Sequence, residues 1–252
     1  MRSSITLIAA CAALTSACAS TGEGVPEDPW EGWNRGVTAF NNVADTAAIG
    51  PLSKAYGVLV PDFAKAGVDN FLSNLGEPSN AVNSALQGKP MRSLDASWRF
   101  IVNSTVGVAG LFDPAEAMGL EHHSEDFGQT LAVWGVPQGP YLVLPLMGPS
   151  TLRDTAALPV GGALNPLNYA EYGNDEDTNL AVRGGLGTIG AIHLRYELAD
   201  QLQALQDQPS PYVALRDIYL SQRAAAIRDG QEEEDLFKDL PNFDDYYFED
   251  DE

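Results

Sequence analysis

The sequence is poor in cysteine and in basic residues. Its two cysteines, Cys11 and Cys18, both lie within the first 18 of its 252 residues, so the rest of the chain can form neither a disulfide nor a thiolate metal site. Only 14 Lys and Arg residues stand against 35 Asp and Glu, which gives a formal net charge of −21. This acidic balance argues against binding to nucleic acid and against electrostatic attachment to anionic lipid headgroups.

Long apolar runs are also scarce. Beyond the N-terminal segment, no run approaches the roughly 20 apolar residues that a transmembrane helix needs. Attachment to a membrane would therefore depend on the burial of apolar groups rather than on a spanning helix or on charge.

The sequence contains no motif that marks a catalytic site. It has no nucleophile elbow, P-loop or zinc-protease motif, and no two carboxylates are marked as a catalytic pair. Residues 185–190 match G-x-G-x-x-G, but no predicted strand precedes them as dinucleotide binding requires, so close helix packing explains these glycines better. His122 and His123 are adjacent and their side chains diverge, which favours surface or core histidines over metal ligands. We therefore predict no enzymatic activity, no cofactor and no metal site.

The N-terminus has the pattern of a secretory signal peptide. Residues 1–4 carry a positive charge, residues 5–14 are apolar, and small residues then lead to Cys18. This pattern predicts a signal peptide over residues 1–17 rather than a spanning helix.

Two cysteines are candidates for lipid attachment. Residues 14–18 resemble a lipobox, although Thr15 stands where an aliphatic residue is preferred. Residues 8–11 fit that pattern better, but lipidation at Cys11 would leave too short an apolar region before it. We therefore predict lipid attachment at Cys18; the alternative is an ordinary secreted protein that is cleaved in the same region.

The residues that follow Cys18 indicate a tether and a location. Glycine and proline within residues 18–27 predict a flexible linker between the lipid and the folded part. Ala19 and Ser20 lack the aspartate that signals inner-membrane retention in similar lipoproteins, which favours the outer membrane.

Apolar residues at helical spacing predict a mainly α-helical fold. The predicted amphipathic helices cover residues 33–47, 61–75, 78–87, 94–105, 179–206 and 210–230. Gly50 and Pro51 are expected to end the first helix, and Gly76 to end the second. Four glycines within residues 184–190 predict a close backbone contact, a kink or a break.

A rigid, apolar passage at residues 124–154 interrupts this helical pattern. Gly135, Pro137, Gly139 and Pro140 would break any helix that begins at residue 129. We consider Gly135 and Gly139 candidates for a hinge or gate.

The second half of this passage is predicted to be extended and then helical. Residues 141–146 are apolar and include Pro145, which is typical of an edge strand or an extended segment. Residues 149–154 are expected to restart a helix, with Thr151 and Asp154 at the spacing of a capping box.

Arg92 and Arg99 lie seven residues apart, which places them on one face of a predicted helix with Asp95 between them. The first interpretation is a solvated or salt-bridged face. The second is a polar path for a lipid phosphate, since a guanidinium can bind a phosphate with two hydrogen bonds.

The C-terminal end is strongly acidic. Residues 229–252 contain twelve acidic residues and one lysine, and we predict a disordered tail over residues 231–252. The tail would mainly aid solubility; an alternative is electrostatic docking of a basic periplasmic partner.

Short segments from residue 28 to residue 228 carry a family resemblance. They are DPWEGWNR (28–35), FN (40–41), N (103), FG (127–128), QTL (129–131), GPY (139–141), LP (144–145), GPS (148–150), RD (153–154) and SPY (210–212). Together and in this order they resemble the MlaA/VacJ family of outer-membrane lipoproteins. The resemblance implies a ring-like helical protein in the inner leaflet of the outer membrane, which takes phospholipids from the outer leaflet. It also implies a trimeric porin and a soluble periplasmic lipid carrier as partners.

We therefore expect residues 28–230 to form a ring-like bundle of amphipathic helices, anchored by lipid at the periplasmic face of the outer membrane. The bundle would pass phospholipids through a polar channel towards the carrier. Two alternatives are a lipid-anchored scaffold without a channel and a lipid-anchored hydrolase. Apolar side chains turned outward around a central opening would favour transport over both.

Overall fold

The computed structural model describes residues 28–173 and 175–229. The predicted signal peptide, Cys18, the tether and the predicted disordered tail lie outside the described residues. The described part is mainly helical and contains a two-stranded antiparallel sheet, which confirms the prediction of a mainly α-helical fold.

Ten α-helices make up most of the described part. They are α1 (Glu31–Ala44), α2 (Gly50–Leu59), α3 (Asp62–Leu86), α4 (Pro90–Thr105), α5 (Pro114–Ala117), α6 (Phe127–Val133), α7 (Leu152–Leu164), α8 (Glu176–Glu197), α9 (Ala199–Gln206) and α10 (Pro211–Ile227). A π-helical segment (Asp45–Ile49) joins α1 to α2, and a 3-10 turn (Pro166–Asn168) follows α7. The strands are β1 (Tyr141–Leu144) and β2 (Gly148–Thr151).

The prediction that Gly50 and Pro51 end the first helix is wrong. The chain passes from α1 through the π-helical segment directly into α2, and Pro51 lies in the first turn of α2. Proline is tolerated there because its ring fits the helical φ angle. Asp45 of the π-helical segment also accepts two hydrogen bonds from Arg195 of α8, at 2.7 and 3.1 Å, which holds this junction against α8.

The predicted break at Gly76 is also wrong, because α3 runs for 25 residues and contains Pro78. Glu77 and Asn80 on either side of this proline are buried and bind other parts of the chain. These tertiary contacts outweigh the local tendency of glycine and proline to end a helix.

The helix predicted over residues 179–206 is divided into α8 and α9 at Leu198. The break does not lie at the glycines, since α8 runs through all four of them. A Cβ at Gly190 would lie 3.3 Å from Leu72 Cδ2, whereas a Cβ at Gly184 or Gly187 would meet open space. Close packing of α8 on α3 is thus confirmed at Gly190.

The hairpin at residues 141–151 confirms the predicted edge strand. β1 and β2 pair in antiparallel register, with Tyr141 opposite Thr151, and each strand of a two-stranded sheet is an edge. Pro145 lies in the turn after β1, where its missing N–H breaks no ladder bond. The predicted restart of a helix within residues 149–154 is confirmed, since α7 begins at Leu152 with Thr151 as its N-cap; β2 ends at the same Thr151.

A small apolar core lies where this hairpin meets α1 and α10. It consists of Val37, Tyr141, Val143 and Tyr212, all buried. Asn34 of α1 fixes β1 by donating to the Tyr141 carbonyl at 3.0 Å and accepting from the Val143 N–H at 2.8 Å. Both partners are buried main-chain groups that need a hydrogen bond.

Elsewhere the distribution of polar and apolar side chains is inverted. Fully buried side chains include Glu77, Asn83 and Thr130, whereas Val58 and Phe63 are 85% and 82% exposed. In water each exposed apolar side chain is unfavourable, at about 25 cal/mol per Å² of apolar surface. Within residues 28–173 and 175–229, the structure has no helix whose length and hydropathy suit a membrane span.

Candidate functional site

α4 shows the inversion on a single helix. Apolar residues form an exposed stripe at helical spacing, namely Met91, Leu94, Trp98 and Ile101. The opposite side, which packs on α3 and α5, contains the buried residues Ala96, Arg99 and Asn103. The helix therefore turns its apolar side chains outward and its charged side chain inward.

Arg99 is the centre of a buried ionic cluster. Its guanidinium donates to Glu77 of α3 at 2.7 Å, to Asp113 at 2.5 Å and to the Leu120 carbonyl at 2.7 Å. His122 Nδ1 lies 2.9 Å from the same Glu77 carboxylate. These contacts support the salt-bridged interpretation for Arg99 and leave its side chain only 4% exposed.

The charge on Glu77 is maintained by its partners. Burial alone would raise its pKa, but hydrogen bonds from His122, Arg99 and Asn80 outweigh burial and lower the pKa of Glu77 below its ordinary value. The carboxylate is therefore ionised at neutral pH, and Arg99 has a buried counterion.

Arg92 belongs to a second cluster, one that is closer to the surface. Arg92 lies 2.5 Å from Asp229 and 3.4 Å from Glu125, and Lys89 binds the same two carboxylates at 2.5 and 3.1 Å. The Arg92 side chain is 30% exposed. The two arginines thus share a face of α4, as predicted, but they bind different carboxylates.

A third cluster joins α6, α7 and α10 and was missed by the sequence analysis. Arg223 of α10 binds Asp126 at 2.5 and 2.7 Å and Asp154 at 2.9 and 3.0 Å. Tyr219 also donates to Asp154, at 3.1 Å. A Cβ at position 128 would lie 2.4 Å from Asp154 Oδ1 and 2.5 Å from Arg223 Nη2, so the glycine leaves room for this ion pair.

The capping box predicted at Thr151 is present only in part. Thr151 Oγ1 accepts from the Asp154 N–H at 3.2 Å and caps α7. The predicted return contact from the Asp154 carboxylate is wrong, because that carboxylate binds Arg223 instead.

Both aspartates of the third cluster are held in the ionised form. Burial would raise the pKa of Asp154 and of Asp126, but hydrogen bonds from Arg223 outweigh burial and lower both pKa values.

Two adjoining cavities lie beside this third cluster. The larger, about 500 Å³, is lined by the three charged residues and by apolar side chains that include Phe127 and Leu158. The smaller, about 330 Å³, is lined mainly by leucine and glycine: Leu72, Leu75, Leu167, Leu186, Gly76, Gly187 and Gly190. Gly161 and Asn165 line both, so the cavities meet at the end of α7. One end of this space is charged and the other is apolar.

The two candidate hinge glycines lie between α6 and β1. Gly135 and Gly139 have φ angles of +85° and +70°, which side chains with a Cβ rarely adopt. A Cβ at Gly139 would lie 3.0 Å from the Cβ of Leu152, whereas one at Gly135 would meet open space.

The two adjacent histidines, His122 and His123, lie beside different carboxylates. His122 contacts Glu77, and His123 contacts Glu121.

Comparisons with known proteins agree with this architecture. The family model for the MlaA lipoprotein matches residues 26–226. A protein of Rickettsia felis described as uncharacterized is 39% identical over 203 residues, covering 80% of this chain and 78% of the relative. The intermembrane phospholipid transport system lipoprotein MlaA of Escherichia coli K12 is 33% identical over 240 residues, covering 92% of this chain and 91% of the relative.

A solved structure, described as the structural basis for maintenance of bacterial outer membrane lipid asymmetry, has the same fold. It matches with a TM-score of 0.70 and 32% sequence identity, and covers 80% of this chain and 100% of the other. The match to the family model spans most of the sequence, and the helical architecture agrees with it. The chain therefore belongs to the MlaA lipoprotein family.

Proposed function

We propose that this chain is an outer-membrane lipoprotein that removes phospholipids from the outer leaflet and passes them through a polar path towards a periplasmic carrier. Phospholipid transport is the function named for its Escherichia coli relative. The observation that carries the proposal is the inverted helix α4, with an outward stripe at Leu94, Trp98 and Ile101 and the ionic contacts of Arg99 inside.

The physical role of this inversion is to lower the barrier to headgroup movement. A charged headgroup is strongly disfavoured in hydrocarbon unless its charges are paired and hydrogen-bonded. Polar side chains inside the helical bundle would replace water around the headgroup. Apolar side chains outside would contact the surrounding lipid, and the acyl chains would stay in an apolar environment throughout.

Attachment in this proposal has two components. Acyl chains on Cys18 would anchor the protein, with residues 18–27 as tether, and burial of outward side chains such as Phe63 would hold the helices at the periplasmic side of the outer membrane. Metabolic labelling with radioactive palmitate tests the anchor: the wild type would be labelled and Cys18→Ala would not. Label that persists in Cys18→Ala would place the lipid at another residue.

A trimeric porin and a soluble periplasmic lipid carrier are the proposed protein partners. The resemblance to the MlaA/VacJ family supports this proposal. The porin would hold the lipoprotein in position in the outer membrane, and the carrier would accept lipid on the periplasmic side.

Roles on the path are proposed for four residues named from sequence. Arg92, being partly exposed, would guide lipid phosphates, and Arg99 would keep the buried part of the path polar. Gly135 and Gly139 would act as a hinge or gate, since both have backbone angles suited to glycine. Arg92→Gln should slow lipid transfer without unfolding the protein; unchanged transfer would remove Arg92 from the path.

The direct test is a deletion strain assayed for phospholipid on the cell surface. Deletion should raise surface phospholipid, and expression of the full chain should restore the original level. A strain whose surface lipid is unchanged by deletion would contradict the proposal and favour a scaffold role.

A further inference from the structure

We propose that the cavity at Asp126, Asp154 and Arg223 accepts the headgroup of a zwitterionic phospholipid that carries an amine, in preference to a net anionic headgroup. This inference rests on the proposed transport function and specifies which lipid class is favoured. It depends on three features: the charges that face the cavity, their mutual pairing and the apolar space next to them.

The first feature is the lack of an uncompensated positive charge. Of the described residues that line the larger cavity, Arg223 alone is basic, and it is already paired with two carboxylates. Four donor contacts run from its guanidinium to these carboxylates, so most of its N–H groups are occupied. An anionic headgroup would meet no free cation here.

The second feature is an accessible carboxylate. The Asp126 side chain is 48% exposed, whereas that of Asp154 is 9% exposed. Arg153 also contacts Asp154, at 3.1 Å, but its side chain is buried and does not line the cavity. A primary ammonium can therefore approach the Asp126 carboxylate.

The third feature is the apolar cavity that adjoins the charged one. Glycines at positions 76, 187 and 190 leave space between leucine side chains, and the two cavities meet at Gly161 and Asn165. A ligand that fills both cavities must have a charged end and an apolar end. A phospholipid has this form, whereas a free amino alcohol or free phosphate would occupy only the charged end.

The test measures which lipid the purified full chain retains. Detergent-solubilised protein is incubated with vesicles of equal phosphatidylethanolamine and phosphatidylglycerol, reisolated, and its bound lipid is quantified by mass spectrometry. The wild type should retain more phosphatidylethanolamine. Asp126→Asn keeps the helix cap but removes the charge, and should lower the ratio of the two lipids about tenfold, as expected for loss of one partly desolvated ionic contact.

Asp175→Asn is the matched control. Asp175 caps α8 as Asp126 caps α6, but it is exposed and does not line either cavity. This variant should retain the wild-type lipid ratio. Equal retention of both lipids by the wild type, or an unchanged ratio in Asp126→Asn, would overturn the headgroup preference and leave transport intact. A wild type that retains no phospholipid at all would overturn the proposed function as well.

Discussion

Two regions of the molecule bury opposite kinds of side chain. Where the hairpin meets α1 and α10, Val143 and its aromatic neighbours form an ordinary apolar core. Where α3 meets α4, the buried groups are Glu77 and Arg99, and the apolar side chains, such as Trp98, face outward. The first region has the interior of a water-soluble protein, and the second has the arrangement expected of a protein surrounded by lipid.

The difference shows that the two regions derive their stability from different sources. The hairpin region is stabilised by removing apolar surface from water, together with the two hydrogen bonds of Asn34. In the α3–α4 region the buried charges are paired, and loss of one partner would leave the other charge buried without compensation. Removal of one charged group should therefore harm the α3–α4 region most, and removal of methyl groups should harm the hairpin region most.

The largest effect is expected from Glu77→Ala. This change removes one of the two carboxylates that bind the buried Arg99 guanidinium, and breaking such a buried pair costs about 3–5 kcal/mol. Denaturant unfolding of the purified protein should show a decrease of that size. Glu116→Ala, which removes an exposed carboxylate, serves as the control and should change stability little. A small decrease in the free energy of unfolding of Glu77→Ala would mean that water, rather than tightly packed protein, surrounds the Arg99 guanidinium.

An intermediate effect is expected from Val143→Ala. Val143 is 1% exposed, so loss of its methyl groups leaves a cavity and should cost about 2 kcal/mol in the same unfolding experiment. The matched control is Val58→Ala, at an 85% exposed position, which should leave unfolding in detergent almost unchanged. Equal losses of stability for the two variants would contradict the claim that Val143 belongs to an apolar core and Val58 does not.

The smallest effect is a dependence of stability on pH. The folded-state pKa values of Asp126 and Asp154 are lowered, so these groups bind fewer protons in the folded state than in the unfolded state. Their contribution is full above the ordinary aspartate pKa and is lost as the pH falls through the lowered values. Unfolding measured from pH 6 downward should show this loss, and Asp154→Asn should lose less stability over the same range. An unchanged pH profile in Asp154→Asn would exclude Asp154 as a source of the loss.

Local sequence patterns predicted the helices better than their ends. The apolar spacing of α4 is visible in the sequence, and so is the shared face of Arg92 and Arg99. The glycine and proline signals at Gly76 and Pro51 wrongly predicted helix ends. Long-range contacts keep α3 helical through Gly76, and a π-helical segment joins α1 to α2 just before Pro51.

The ionic clusters could not be predicted from local spacing. Arg99 binds Glu77, which is 22 residues away in the sequence. Arg223 binds Asp154 and Asp126, which are 69 and 97 residues away. Helical periodicity does not relate residues so far apart. The only sequence signal was indirect, since Asp154 lies in a segment that carries the family resemblance while Arg223 does not.

The central claim is that apolar stripes such as that of α4 contact lipid while polar side chains lie inside. The direct measurement is the accessibility of spin labels in bilayer-reconstituted protein, placed at Leu94→Cys and at Asp95→Cys on neighbouring sides of α4. The chain has no cysteine after Cys18, so each label would be unique once Cys18 is acylated. The account predicts that the label at position 94 is more accessible to lipid-soluble oxygen than to a water-soluble nickel chelate, and that the label at position 95 is less exposed to oxygen. Preferential contact of the label at position 94 with the nickel chelate would contradict the account.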